Sequence, residues 1–144
     1  MANDLIAKVS IVLDAPVEKV WDALTNPALI KQYMFGTNVT SSWVVGSPIV
    51  WKGEWQGKLY EDKGTILRAD RGQVLEYSHY SPLSGKPDIP ENYNVVTIKL
   101  RGQGKGTVLE LSQGNNRTEE ARDHSEQNWK MALEAMKKLV ERDR

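Results

Sequence analysis

Two histidines, His79 and His124, are the groups in this chain whose ordinary titration lies nearest neutral pH. The sequence contains no cysteine, which removes disulfides, thiolate nucleophiles and zinc–sulfur sites. With two histidines and no HExxH pair, a histidine-based metal site is not expected, and no cofactor is expected. Gly102-Gln103-Gly104-Lys105-Gly106 lacks the Gly-Lys-Ser/Thr ending of a phosphate loop and precedes a strand, so it reads as a hairpin turn. No Gly-x-Ser-x-Gly elbow occurs. Glu54 and Glu61 have no evident carboxylate mate. The polar residues left to consider are His79, Tyr77 and Gln113, with Tyr60 and Tyr93 as further sources of a hydroxyl.

These residues sit in segments with readable periodicity. Leu75, Tyr77 and His79 alternate with Glu76 and Ser78, which puts the first three on one face of a strand. His79 has two readings, a proton-handling group on the inner face and a half-exposed histidine held by a hydrogen bond near the strand end. By the same phase Ile49, Trp51 and Gly53 face inward. So do Asn94, Val96, Ile98 and Leu100, and likewise Thr107, Leu109, Leu111 and Gln113.

The elements carrying these faces follow in order. Ala7 to Leu13 alternates as a strand with one wet face. Pro16 suits a first helical position, and Val17, Val20, Trp21 and Leu24 recur at helical spacing to about Thr25. Asn26-Pro27 opens a second short helix over Ala28 to Gln32. From Val39 to Gln113 the pattern is strand and turn, about six strands in all. Turn signals stand at Gly46-Ser47-Pro48, Asp62-Lys63-Gly64, Asp70-Arg71-Gly72 and Gly102-Gln103-Gly104. Ser81 to Asn92, with three prolines, is a long loop that reads as a lid or as a surface excursion.

Thr118 to Arg144 has no proline or glycine and forms a final helix roughly 35–40 Å long, capped by Asn116 or Thr118. Its stripe carries Ala121, Ser125, Trp129, Ala132, Met136, Leu139 and Val140, with Leu133 at the edge. His124 falls off the stripe and is expected in solvent. The small residues predict a space beside Ser125 and Ala132, walled by Trp129 and Met136. The expected fold is α+β, an antiparallel sheet covered by this helix. The residues between the two layers are Trp51, Ile66, Leu75, Tyr77, His79, Val96, Ile98, Leu109, Leu111 and Gln113 from the strands. The helix adds Ser125, Trp129, Ala132, Leu133 and Met136. They read as the lining of an apolar ligand cavity or as plain core.

Composition sets the outer bounds. The 144 residues suffice for one domain, expected to span 1–144. With 19 basic and 19 acidic residues the net charge is zero, so nucleic acid is not an expected partner. No apolar run reaches the roughly 20 residues of a membrane span. The N-terminus has no signal-peptide pattern, and a cytoplasmic location is the default expectation.

The run Ala15-Pro16-Val17-Glu18-Lys19-Val20-Trp21-Asp22-Ala23-Leu24-Thr25-Asn26-Pro27 resembles the opening of START-like (SRPBCC) proteins. Val45-Gly46-Ser47-Pro48-Ile49, Asp62-Lys63-Gly64-Thr65-Ile66, Leu75-Glu76-Tyr77-Ser78-His79 and the terminal Trp129, Leu133 and Met136 resemble the subfamily named for activators of the heat-shock protein 90 ATPase. The likeness spans nearly the whole chain. It implies a helix-grip fold, a curved sheet around the last helix, with a cavity that in relatives holds lipids, hormones or polyketides. Co-chaperone members carry the domain behind a second, N-terminal domain, and the expectation here is a single-domain homologue. The first functional expectation is binding of a small apolar or aromatic ligand. The second is a cyclase, aromatase or hydrolase acting on an aromatic or polyketide-like substrate through His79, Tyr77 and Gln113. The third is contact with a chaperone. A monomer or homodimer is expected.

Overall fold

The computed structural model describes residues 5–82 and 85–142. Strand β1 (Ala7–Leu13) leads into two short helices, α1 (Val17–Thr25) and α2 (Pro27–Tyr33). Then come β2 (Asn38–Ser41), β3 (Pro48–Trp55), β4 (Lys58–Asp70), β5 (Val74–His79), β6 (Asn94–Gln103), β7 (Gly106–Gln113) and the long helix α3 (Glu119–Glu141). The strands make one antiparallel sheet in the order β1-β7-β6-β5-β4-β3-β2. This is the α+β helix-grip architecture, a curved sheet with its inner face closed by helices.

Helix starts follow the local chemistry. Asn26 accepts from the Ala28 backbone N–H, and Pro27 occupies the first helical position of α2. Thr118 caps α3 by accepting from Ala121 N–H at 3.0 Å. Pro16 is itself the cap residue of α1, one position earlier than its expected place. Asn116 is not a cap; its amide donates to the carbonyls of Leu5 and Gln113.

One turn lies outside the expected set, and one expected turn is absent. Gln56-Gly57 closes the β3–β4 hairpin, with both residues at positive φ as a two-residue loop of mirror-image type requires. Asp62-Lys63-Gly64 is not a turn but lies inside β4. Gly64 is needed there for a different reason: a Cβ would fall 1.7 Å from the Ser78 carbonyl oxygen. Glycine lets β4 close on β5 just before the register shift between Ile66 and Arg68.

Helix α3 runs parallel to β1 and supplies hydrogen bonds to its outer edge. Glu126 accepts from Lys8 N–H at 3.0 Å and Glu141 from Asp14 N–H at 2.7 Å. Lys137 donates to the Val12 carbonyl. The spacings agree, since six strand residues cover about 20 Å and fifteen helical residues about 22 Å. An exposed strand edge is thereby covered by side chains of the long helix.

The connection from β5 to β6 is fastened outside. Lys63 alternates with the inward Asp62 and so faces the outer side of the sheet, where its ammonium pairs with Asp88 at 2.5 Å. Tyr93 donates to Asp88 as well, Tyr80 donates to the Lys86 carbonyl, and the two tyrosine rings stack at 5.2 Å. The described part of this segment is a strap on the outer face, not a lid over the interior. No helix among the described residues is long and apolar enough to cross a membrane.

Candidate functional site

The interior between helices and sheet contains an apolar cavity with about 30 Å³ of free volume. Seven of the expected residues line it. Trp51, Leu75, Tyr77 and Ile98 come from the sheet, and Trp129, Leu133 and Met136 from α3. The helix is turned so that Leu133, expected at the edge of the stripe, is fully buried. The free volume does not adjoin Ser125 or Ala132. Ala132 is buried in the core, where its small side chain serves close packing instead of leaving space.

The remaining expected residues have other places. Ile66, Val96, Leu109 and Leu111 are buried core residues away from the cavity. Gln113 and Ser125 belong to a hydrogen-bonded chain at the N-terminal end of α3. Trp129 Nε1–H donates to Gln113 Oε1 at 2.7 Å, the Gln113 amide donates to Ser125 Oγ, and Ser125 donates to Asn116. These groups hold the Trp129 ring, one wall of the cavity, in a fixed orientation.

Seven further lining residues were not in the expected set. Leu24, Ile30, Tyr33 and Met34 come from α1, α2 and the turn after them. Val39, Trp43 and Ile49 come from β2, the loop after it and β3. The inward phase of Ile49 was legible, but nothing in the helical periodicity of α1 and α2 says which layer they will meet. Trp43 has φ 62°, an uncommon backbone state for a bulky residue, at the edge of the cavity.

Polar groups near the cavity are few. Burial pushes the Tyr33 phenol above the usual tyrosine range, with the neighbouring Tyr77 adding to it. The Tyr33 hydroxyl donates to the Ala23 carbonyl at 2.9 Å. Tyr77 is 7% exposed and is likewise shifted upward by burial. Tyr60 is engaged with Thr37 at 2.6 Å and Tyr93 lies in the outer strap.

His79 does not line the free volume. Its ring stands edge-on to Trp51, with centroids 4.9 Å apart, and Trp51 in turn meets Tyr77 at 5.2 Å. His79 Nε2 lies 2.9 Å from Asp62 Oδ2, the side chains being 30% and 16% exposed. His79 is thus hydrogen-bonded and partly exposed near the strand end. Asp62 Oδ1 is buried without a hydrogen-bond partner. Asp62 was missed because its triplet looked like a turn; its pairing with inward Trp51 across β3 and β4 sets its face. His124 is exposed.

The model for the family described as activator of Hsp90 ATPase homolog 1-like protein matches residues 14–141. The solution structure of ChR145 from Cytophaga hutchinsonii is 59% identical, covering 99% of this chain and 97% of that one, with TM-score 0.86. Protein MLL2253 from Mesorhizobium loti is 23% identical over 96% of this chain and 98% of its own, with TM-score 0.79. The Aha1 dimer from Colwellia psychrerythraea is 19% identical over 94% and 95%, with TM-score 0.73. These last two likenesses concern the fold alone. No curated protein matches the chain. The chain belongs to the activator of Hsp90 ATPase homolog 1-like family.

Proposed function

We propose that the chain binds a small, mostly apolar molecule in the cavity between α3 and the sheet. The carrying observation is an interior space walled by aromatic and aliphatic side chains from both layers. The free volume of about 30 Å³ is far below the roughly 300–1,000 Å³ of sites for drug-sized ligands. The space is therefore too small for such a ligand as it stands, and binding requires one wall to move. Met34, Val39 and Trp43 belong to the turn after α2 and to the four-residue edge strand β2 with its following loop. That wall is paired on one side only, so it yields at the lowest cost. Met34 and Met136 repack readily around a new shape.

The test is native mass spectrometry of co-purified material, together with amide and methyl chemical-shift mapping against a panel of small aromatics. Shifts centred on Leu75, Ile98, Leu133 and Met136 are the expected result. An empty protein whose cavity signals do not respond to any member of the panel would sink the proposal.

Two other readings have one observation each. The Asp62–His79 pair beside Trp51 supports an enzyme acting on an aromatic or polyketide-like substrate. Unchanged turnover of an identified substrate in His79→Ala would remove it. The family description supports contact with a chaperone ATPase, for which stimulation of that ATPase by the purified chain is the test.

A further inference from the structure

We infer that the groove between the edge of β1 and the middle of α3 binds a small zwitterion of the α-amino-acid type. Its carboxylate is held by Ser10 N–H and Lys130, and its ammonium by the Ser10 carbonyl and Glu134. This groove is divided from the interior cavity by Leu133, which borders both spaces, and the inference does not depend on the cavity reading.

Backbone groups alternate along β1. Odd-numbered residues turn their N–H and C=O toward β7, and even-numbered ones turn theirs toward α3. There Lys8 N–H, the Val12 carbonyl and Asp14 N–H meet Glu126, Lys137 and Glu141. Ser10 is the even residue in the middle, and its N–H and carbonyl have no partner among the described residues. Opposite it on the helix, Lys130 and Glu134 form no hydrogen bond or ion pair among the described residues. The seam between strand and helix is therefore open at its centre. The opening has about 530 Å³ of free volume, within the roughly 300–1,000 Å³ of small-molecule sites.

Polarity is ordered along this groove. Helix α3 runs parallel to β1, so Lys130 lies toward the Ser10 N–H. Glu134, about 6 Å further along the helix, lies toward the Ser10 carbonyl. Two donors and two acceptors thus stand side by side. A carboxylate takes the first pair and an ammonium the second, by charge-assisted hydrogen bonds. A simple anion or cation satisfies one pair and meets its own charge at the other. Of the remaining charges, Glu126 is engaged with Lys8 N–H, Asp123 pairs with Arg122 at 3.2 Å, and Lys8 adds a positive charge at that end. Val9, Ile11 and Leu133 give the groove an apolar floor, which fits an aliphatic side chain on the ligand.

The test titrates three probes near pH 7: L-leucine, N-acetyl-L-leucine, which lacks the ammonium, and L-leucinamide, which lacks the carboxylate. Binding is read by calorimetry and by backbone amide shifts of Val9, Ser10 and Ile11, in the native chain, Lys130→Gln and Glu134→Gln. Both substituted side chains are exposed, and unchanged shifts far from the groove establish that the variants are folded. L-leucine should move the Ser10 amide and bind at least about tenfold more tightly than either derivative. Each variant should weaken L-leucine about two- to fivefold. A Ser10 amide that does not move at millimolar L-leucine, equal affinities of the three probes, or unchanged L-leucine affinity in either variant overturns the assignment. Shifts centred on Ile98 and Met136 instead of Ser10 would place leucine in the interior, which overturns the groove site and supports the cavity reading.

Discussion

The indole N–H of Trp129 donates to the side-chain oxygen of Gln113 at 2.7 Å, tying the last helix to the last strand. The Gln113 amide continues to Ser125, and Ser125 to Asn116, whose own amide donates to the Leu5 and Gln113 carbonyls. One end of the cavity is therefore held by side-chain hydrogen bonds that cross from helix to sheet. Gln113→Leu keeps the side-chain volume but leaves the Trp129 N–H without its acceptor. The expected cost is about 1–3 kcal/mol, measured as a lower denaturation midpoint. The Trp129 indole resonance should also move and its proton exchange faster. An unmoved indole signal would mean that the ring is held by packing alone.

Gly64→Ala should damage the fold far more than its size suggests. The added methyl would lie 1.7 Å from the Ser78 carbonyl oxygen, and that oxygen is backbone. The strands must part, so a loss above about 4 kcal/mol, or failure to fold, is expected. Gly102→Ala is the matched control, because its new methyl meets only Val17 Cγ2 at 3.7 Å. It should stay within about 0.5 kcal/mol of the parent. Comparable thermal midpoints for the two variants would show that β4 and β5 are not so tightly closed at Gly64.

The same glycine marks where sequence reading stops. Strand phase was legible wherever a run alternated cleanly, as in Leu75, Tyr77 and His79 or in Val96, Ile98 and Leu100. The long helix and the helix-over-sheet layering followed from periodicity and length. Asp62-Lys63-Gly64 failed because a glycine after two polar residues looks alike in a turn and in a strand that must approach its neighbour. With the turn misplaced, the partner of His79 could not be seen, since Asp62 lies seventeen residues away and meets it only through the pairing of β4 with β5. The cavity contributions of Leu24, Ile30 and Met34 escaped for a related reason. A short helix declares an apolar stripe but not the layer that will cover it. Leu133 and Ala132 show the limit on α3: they stand 100° apart, space is expected beside the small one, and the helix orientation brings the larger one, from the edge of the stripe, to the free volume instead.

The outer strap should respond to pH at both ends of the scale. The Lys63 ammonium, then the Tyr93 hydroxyl, hold the Asp88 carboxyl below its ordinary value of 3.8. A lowered folded-state value means a contribution present above that ordinary value and lost as pH falls through the lower one. Lys63 is held above its ordinary 10.5, first by its hydrogen bond to Asp88. That contribution is present below 10.5 and lost as pH rises through the higher value. The groups are exposed, so the effect is local and not a change in global stability. Amide protection, taken relative to the intrinsic exchange rate at each pH, and chemical shifts at Ile89 to Tyr93 should stay constant through the middle range and change on the acid limb below about pH 4. Asp88→Asn should loosen the strap at every pH and remove the acid limb. An acid limb that persists in Asp88→Asn would place the responsible carboxylate elsewhere.

Phe35 follows the cap of α2 in the left-handed region, with φ 55°, and Gly36 N–H closes the helix end on the Lys31 carbonyl. That position is usually glycine, which carries no Cβ to strain. Phe35 is also 66% exposed, so little packing offsets the strain. Phe35→Gly should raise stability by up to about 1 kcal/mol, whereas the β-branched Phe35→Val should lower it. The ordering of the two variants in chemical denaturation decides the matter. A loss in both would mean that the aromatic ring makes contacts worth more than the backbone strain.

Leu133 is the α3 residue at which stability and binding should move in opposite directions. It is 1% exposed and lines the free volume together with Trp129 and Met136. Leu133→Ala removes three carbons from a wall that already has space beside it. The expected cost is about 2–5 kcal/mol, the upper part of the range applying if the surroundings do not collapse. If the space stays open, the variant should bind toluene more tightly than the parent does. It should then recover stability with ligand concentration as RT ln(1 + [L]/Kd), about 2.7 kcal/mol at a hundredfold excess over Kd. Leu133→Met, which roughly conserves volume, should cost less than about 1.5 kcal/mol and show no such gain. If Leu133→Ala is destabilised but gains no more from toluene than the parent, the helix has settled onto the sheet. The cavity would then be a packing defect, with walls unable to hold a shape for a ligand.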